Sequence, residues 1–137
     1  LLLENITSNL QFEAELQETD FINRLCEESQ AALLLDVTNL FINSRNHRFD
    51  PVAWLHKVEP RFIRQVHIVG YSYHDGMYHD RHCEPIQDEL FGLLGEVVAY
   101  APIESIIIER DGEFPGVGLL ETELERLEKV CETARCG

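Results

Sequence analysis

Three aliphatic runs in this chain each stop on an acid: Leu1-Leu2-Leu3-Glu4, Leu33-Leu34-Leu35-Asp36 and Ile106-Ile107-Ile108-Glu109. Such continuously apolar runs suit strands buried on both faces, as in parallel sheets, whereas a strand with one wet face would alternate. A fourth run, Gln65-Val66-His67-Ile68-Val69-Gly70, carries a histidine inside it. The pattern predicts strands over 1–4, 32–37, 65–69 and 105–109. Between them, Asp20 can cap a helix from about Phe21 to Ser29, with Phe21, Ile22 and Leu25 on one face. Asp50-Pro51 is a helix-start signal for a segment bearing Val52, Trp54, Leu55 and Val58, closed by Pro60. Asp88 can cap a helix holding Leu90, Phe91, Leu94 and Val97. The last helix runs from about Val117 to Ala134, with Leu120, Leu124, Leu127 and Val130 or Cys131 on one face. Residues 70–88 read as a long polar loop, and long loops in compact domains are often functional.

Four strands alternating with four helices argue for an α/β fold with a parallel sheet. Such a sheet is either open and doubly wound or closed into a barrel. No glycine-rich phosphate loop follows a strand, which weakens the nucleotide-binding alternative. In a barrel, polar residues at strand C-termini converge on one mouth, and Glu4, Asp36 and Glu109 all stand at such ends. A complete barrel needs roughly 250 residues, and this chain has 137. The expectation is one domain over 1–137 forming a partial, about half, TIM-type β/α barrel of about four βα units. Half a barrel leaves two sheet edges open, so dimerisation or element swapping is expected to cover them. The chain opens on Leu1 inside an apolar run rather than on Met, so a fragment of a longer protein is expected.

The hydrophobic fraction of 45% and charged fraction of 26% are those of an ordinary globular domain. A net charge of −14 argues against nucleic-acid binding, which needs clustered Lys and Arg. Acids crowd the segments 11–28 and 121–132, read as helical, so much of that charge is solvated surface; it also fits carboxylates neutralised by bound cations. No apolar run approaches the ~20 residues of a membrane helix, and no signal-peptide pattern is visible. Cys26, Cys83, Cys131 and Cys136 form no CxxC pair, so reduced thiols and a cytoplasmic location are expected. Cys26 and Cys131 fall on helix faces.

Three carboxylates brought to one mouth would repel and raise each other's pKa, and a cation removes that conflict. One strand-end acid alone more often caps a helix or meets an arginine; three in the same relation to their strands point to a metal. A lone strand histidine is more often a hydrogen-bonded core group, but with acids on neighbouring strands His67 is favoured as a ligand. Asp80 and His82, two residues apart in an extended segment, point the same way and can reach one ion. Asn39 adds a neutral oxygen donor. Asn46 and His47, read as loop residues, either bind substrate or support the ligands. His74 and His79 read as solvent-exposed loop residues, and His56 as a helix-surface residue. Imidazole with carboxylate and no thiolate suits iron, manganese or zinc.

The same residues resemble those of the multinuclear non-heme iron-dependent oxidases, the family of the methanobactin biosynthesis oxidase. The resemblance rests on Leu3-Glu4-Asn5, Leu35-Asp36-Val37-Thr38-Asn39, Asn46-His47-Arg48-Phe49-Asp50-Pro51, the His67 run, Asp80-Arg81-His82-Cys83-Glu84-Pro85 and Ile108-Glu109-Arg110-Asp111. Order and spacing agree along nearly the whole chain, with the family's C-terminal half. The resemblance implies a TIM-type barrel holding two or three irons that, with dioxygen, modifies cysteines in ribosomally made precursor peptides. It also implies a separate partner protein that recognises the precursor's leader. Carried over, Glu4, Asp36, His67 and Glu109 are core iron ligands, with Glu4 as a bridge. Asn39, Asp80 and His82 hold a further iron. Asn46, His47 and Asp111 stand around them, at substrate or behind the ligands. The chain departs from the family at Thr38, Arg48, Tyr71 and Glu84. The family's N-terminal half supplies further histidine ligands, so the intact parent is expected to be the oxidoreductase and this fragment alone inactive. A divalent-metal TIM-barrel sugar isomerase or phosphodiesterase, or an inactive structural fragment, stands as the alternative.

Overall fold

The computed structural model describes residues 1–10 and 14–136, the last two by backbone alone. In chain order its elements are β1 (Leu2–Glu4), α1 (Glu18–Ser29), β2 (Ala32–Asp36), α2 (Val37–His47), α3 (Pro51–Leu55) and a 3-10 turn (Pro60–Phe62). Then come β3 (Ile63–Ile68), β4 (Gly70–His74), β5 (Met77–Glu84), α4 (Asp88–Tyr100), β6 (Ser105–Ile108) and α5 (Val117–Cys136).

The four aliphatic runs are β1, β2, β3 and β6, and they form one parallel sheet in that order. The architecture is a partial TIM-type α/β fold. Register fixes which residues share a face. Leu35 stands beside Val66 and Val66 beside Ile106, while Asp36 stands beside His67 and His67 beside Ile107. The first row belongs to the helix-covered face. Leu33, Leu35, Val66 and Ile68 are at most 1% exposed and cluster with Leu40, Leu55, Leu90, Leu94 and Val97. Each such side chain contributes roughly 1.5–3 kcal/mol relative to exposure. The second row lies on the opposite face, which is open: Leu2 there is 39% and Ile107 42% exposed. Other exposed apolar side chains lie on two of the helices, Phe21 and Leu25 on α1 and Val117, Leu120 and Leu124 on α5.

Several local expectations are corrected. Residues 70–88 are not a loop: β4 and β5 form an antiparallel hairpin. Its turn is Asp75-Gly76, with φ of +53° and +79°, the paired positive values of the tight turn that Asp-Gly favours. Tyr71 and Tyr78 of the hairpin pack on Phe41 of α2 at ring-centroid distances of 5.0 and 5.9 Å. Helix α2 was not expected at all. Val37 through Ser44 are all buried, so the segment has no polar face and shows no helical period. Asp20 and Asp88 lie inside the first turns of α1 and α4, whose N-caps are Gln17 and Gln87; there the acids still favour the helix dipole. Asp50 does cap α3, accepting from Val52 N, but the helix ends at Leu55 and Pro60 opens the 3-10 turn. On α5 the packed face is rotated from the expected one. Glu123 and Leu127 are buried while Leu120 and Leu124 are 39% and 48% exposed. Of the acidic stretch 11–28, residues 14–17 precede α1 and 11–13 lie outside the described residues.

Gly70 ends the strand run that holds His67, and a Cβ there would meet the carbonyl oxygens of Pro85 and Glu84 at 2.1 and 2.3 Å. Both obstacles are backbone, so the β4–β5 crossing depends on this glycine. Gly70→Ala is expected to lower stability by about 3 kcal/mol or more, read as a fall in the urea midpoint. Gly92→Ala, in α4 with nothing within 4 Å of the new methyl, is expected to raise stability by up to ~1 kcal/mol.

Candidate metal centre

Strand β2 ends on Asp36 and α2 begins at the next residue, so no loop separates sheet from helix. Asp36 caps that helix: its Oδ1 accepts from Asn39 N at 2.7 Å. Asn5, just past β1, continues the ladder with its side chain. Its Oδ1 accepts from Asp36 N at 2.8 Å and its Nδ2 donates to Asp36 O at 3.0 Å. Asn39 Nδ2 donates back to Asn5 O at 3.1 Å. Thr38, where the sequence departs from the resembled pattern, makes the same kind of clamp on Val69, donating to its carbonyl at 2.7 Å and accepting from its N–H at 3.0 Å. The strand ends are thereby fixed before any ligand is considered.

On the open face these ends converge. Ligand atoms of Glu4, Asp36, His67 and Glu109 all lie within 4.8 Å of one another. His67 Nδ1 is 2.8 Å from Glu109 Oε2 and 3.8 Å from Glu4 Oε1. Glu109 also joins a second such group with His82 and Asp111. His82 lies between two acids, Nε2 at 2.8 Å from the Asp80 carboxylate and Nδ1 at 3.1 Å from Asp111 Oδ2. Simple alternation does not bring Asp80 and His82 together. The hairpin register jumps from Gly70↔Glu84 to Tyr71↔Asp80, and His82 takes φ +53°. This bulge re-aims the imidazole toward Asp80.

The electrostatics are those of a cation site. Burial pushes the Asp36 carboxyl up to about 7, with Asp80 and Glu4 adding repulsion against the relief from Asn39 N–H and His82. Burial pulls the His82 ring down, but the charge and hydrogen bond of Asp80, with Glu109 and Asp111, carry it above its ordinary value. Asp36 Oδ2 and Asn39 Oδ1 are buried and have no hydrogen-bond partner, and buried Asp80 Oδ1 meets only the His82 ring, at 2.8 Å. A buried polar atom without a partner costs about 1–3 kcal/mol, more if charged. Two oxygen atoms in that condition beside the Asp80 carboxylate fit the donor set of a metal ion, and the imidazoles His67 and His82 complete an N/O set suited to iron, manganese or zinc.

Asn46 and His47 lie elsewhere. They close the last turn of α2 rather than a loop, about 15 Å of helix rise from Asp36. Asn46 clamps Tyr78 of β5, accepting from its N–H at 3.0 Å and donating to its carbonyl at 2.9 Å. His47 Nε2 meets Ser8 O. His74 and His79 stack on each other, with centroids 3.8 Å apart, the first exposed and the second half-buried. His56 caps the end of α3 and rests on Tyr100. Cys26, Cys83 and Cys131 are free thiols, and the side chain of Cys136 lies outside the described residues. Sequence reasoning assigned no role to Asn5, to Gln65, whose Nε2 is 3.4 Å from His67 Nε2, or to the Arg110–Glu123 pair. An amide directly after a strand-end acid was the available signal for Asn5.

The family model of the RiPP precursor modification enzyme MbnB/TglH/ChrH matches residues 1–132. A UPF0276 protein of Streptomyces avermitilis is 33% identical over 135 residues, covering 98% of this chain and 28% of that protein. UPF0276 proteins of an Anaeromyxobacter species and of Shewanella amazonensis are each 34% identical, covering 95% and 93% of this chain and 46% of their own lengths. The chain thus spans from about a quarter to about half the length of these curated relatives. No helix among the described residues is long and apolar enough to cross a membrane.

In metal-free protein, the raised Asp36 carboxyl makes folding take up a proton. Stability is full below the unfolded carboxyl's pKa of about 4 and falls as pH rises through about 7, by on the order of 3 kcal/mol. Asp36→Asn is expected to flatten that fall, measured by urea denaturation in chelator at about pH 4 and about pH 8. Added Mn(II) is expected to stabilise the unsubstituted protein and not the variant.

Proposed function

The chain belongs to the RiPP precursor modification enzyme family MbnB/TglH/ChrH, and from that membership and the geometry above we propose that it is the C-terminal half of an iron-dependent oxidase acting on cysteines of a ribosomally made precursor peptide. The observation that carries this reading is the convergence of Glu4, Asp36, His67 and Glu109 within 4.8 Å, beside the buried, unpartnered oxygens of Asp36 and Asn39.

In this reading Glu4, Asp36, His67 and Glu109 would hold one ion, and Asn39, Asp80 and His82 would hold a further one. Glu4 and Glu109 would serve both, Glu109 because it also groups with His82 and Asp111. Bound iron supplies the redox chemistry toward dioxygen that amino-acid side chains lack. This chain's residues do the rest by position. Asn5 and Asn39 hold the Asp36 carboxylate at the mouth through backbone clamps. Asp111 accepts from the His82 ring and fixes its orientation, as outer partners of metal-bound imidazoles do. Arg110 turns away from the acids on either side of it to Glu123, so the carboxylates keep their charge for cations. The open face, with Leu2 and Ile107 beneath the acids, is completed by the other half of the barrel, which brings the remaining ligands. A partner protein presents the precursor's leader.

Two measurements test the reading. Full-length protein isolated in air is expected to contain iron and to consume dioxygen when given a cysteine-containing precursor peptide; zinc or manganese with no uptake contradicts it and favours a hydrolase or isomerase. The chain over 1–137 alone is expected to self-associate through its open sheet edges and α1 and α5 faces. A monodisperse monomer in sedimentation velocity contradicts that part.

A further inference from the structure

Arg110 and Glu123 are the most deeply buried ion pair among the described residues, their side chains 5% and 4% exposed. Arg110 Nη2 donates to both Glu123 oxygens at 3.0 and 2.9 Å, and Nη1 donates to Cys83 O at 3.0 Å. Glu123 Oε1 also accepts from Ile86 N at 2.9 Å. Two side chains therefore tie three segments together: the exit of β6, the strap from β5 to α4, and α5. Those segments carry one side of the site. Cys83 follows His82 directly, Glu109 and Asp111 flank Arg110, and Asp111 N donates to His82 O at 3.0 Å. Glu4, Asp36 and His67, by contrast, are set by the register of the sheet and the clamps on β2.

A buried pair that only stabilised the fold would be replaceable by apolar side chains at little cost. This pair does two things apolar side chains would not. It spans the gap between the β5 bulge and the β6 exit, and it draws a guanidinium away from the acids on either side of it. We propose that Arg110 and Glu123 are positioning residues for His82 and Asp111: they set the spacing of these two from Glu109, which the sheet itself holds through its N–H to Ile68 O, and they keep the carboxylates uncompensated, so that an ion held on the His82 side depends on them and one held by Glu4, Asp36, His67 and Glu109 does not. This rests on the reading of the site as a metal centre.

The test uses the intact protein and two variants. Arg110→Met with Glu123→Gln removes both charges and leaves an acceptor for Ile86 N, so folding is retained; Arg110→Lys keeps a cation beside Glu123 but cannot also span to Cys83 O. Calorimetric titration with Mn(II) is expected to show one site weakened by about 10–100-fold in either variant and the other unchanged. Hydrogen exchange of the metal-free proteins is expected to quicken by about tenfold or more in peptides covering 80–86 and 109–113, and to stay unchanged over 63–68. Equal weakening of both sites, or faster exchange throughout the sheet, makes the pair a general stabiliser and overturns the proposal. Unchanged exchange at 80–86 and 109–113 overturns it as well. Absence of Mn(II) binding by the unsubstituted protein instead removes the metal-centre reading, and the proposal with it, whatever the exchange pattern.

Discussion

The fold is organised around a carboxylate it does not neutralise. Asp36 is 0% exposed, and one of its oxygens has no partner. It is at once the last residue of β2, the sheet neighbour of His67 and the cap of α2. A residue with three structural duties cannot swing away from an unfavourable environment. The cost of burying its charge is therefore built into the metal-free chain, and it appears as a carboxyl displaced to about 7. A cation at that place converts the cost into an attraction. This is the physical reason for reading the mouth of the sheet as a metal centre rather than as a cluster of surface acids.

The means of holding the mouth rigid recurs. Side-chain amides take the place of absent strand neighbours by bonding both polar groups of one backbone residue. Asn5 does this to Asp36, Asn46 to Tyr78 and Gln87 to Tyr71. Each clamp satisfies an N–H and a C=O that a short strand or a hairpin edge would leave open. The first secures the β1–β2 end, and the other two secure the hairpin that brings in Asp80 and His82. Asn46, read from the sequence as binding substrate or supporting the ligands, acts on the hairpin from the far end of α2.

Much of the sheet was legible because an apolar run that stops on an acid states both burial and boundary. Strands β1, β2, β3 and β6 lie where those runs lie, with β3 starting two residues before the expected Gln65, at Ile63. Less was legible where tertiary context hides the period. Helix α2 is buried from Val37 to Ser44 and so has no amphipathic signature. The hairpin has Asp75-Gly76 at its turn, but Met77–Glu84 is so polar that it reads as loop. Glu123 looked like one more surface acid of α5, yet it is inside, because Arg110 offers it a buried partner. The site acids could be named from position alone. Asp80 and His82 could be paired from their spacing, but the bulge and the left-handed His82 that bring them into contact are not encoded in spacing.

The open face gives the account its direction. Leu2 and Ile107 lie bare beside the carboxylates, and α1 and α5 carry further bare apolar side chains. In the proposed reading, this face of acids held at fixed separation over an apolar floor is one side of an enclosed chamber. The direct test is diffraction from crystals of the full-length protein at energies on either side of the iron absorption edge. The account predicts an anomalous peak enclosed by Glu4, Asp36, His67 and Glu109, with a further peak toward Asp80 and His82. Iron bound elsewhere with no peak among these four side chains would contradict it.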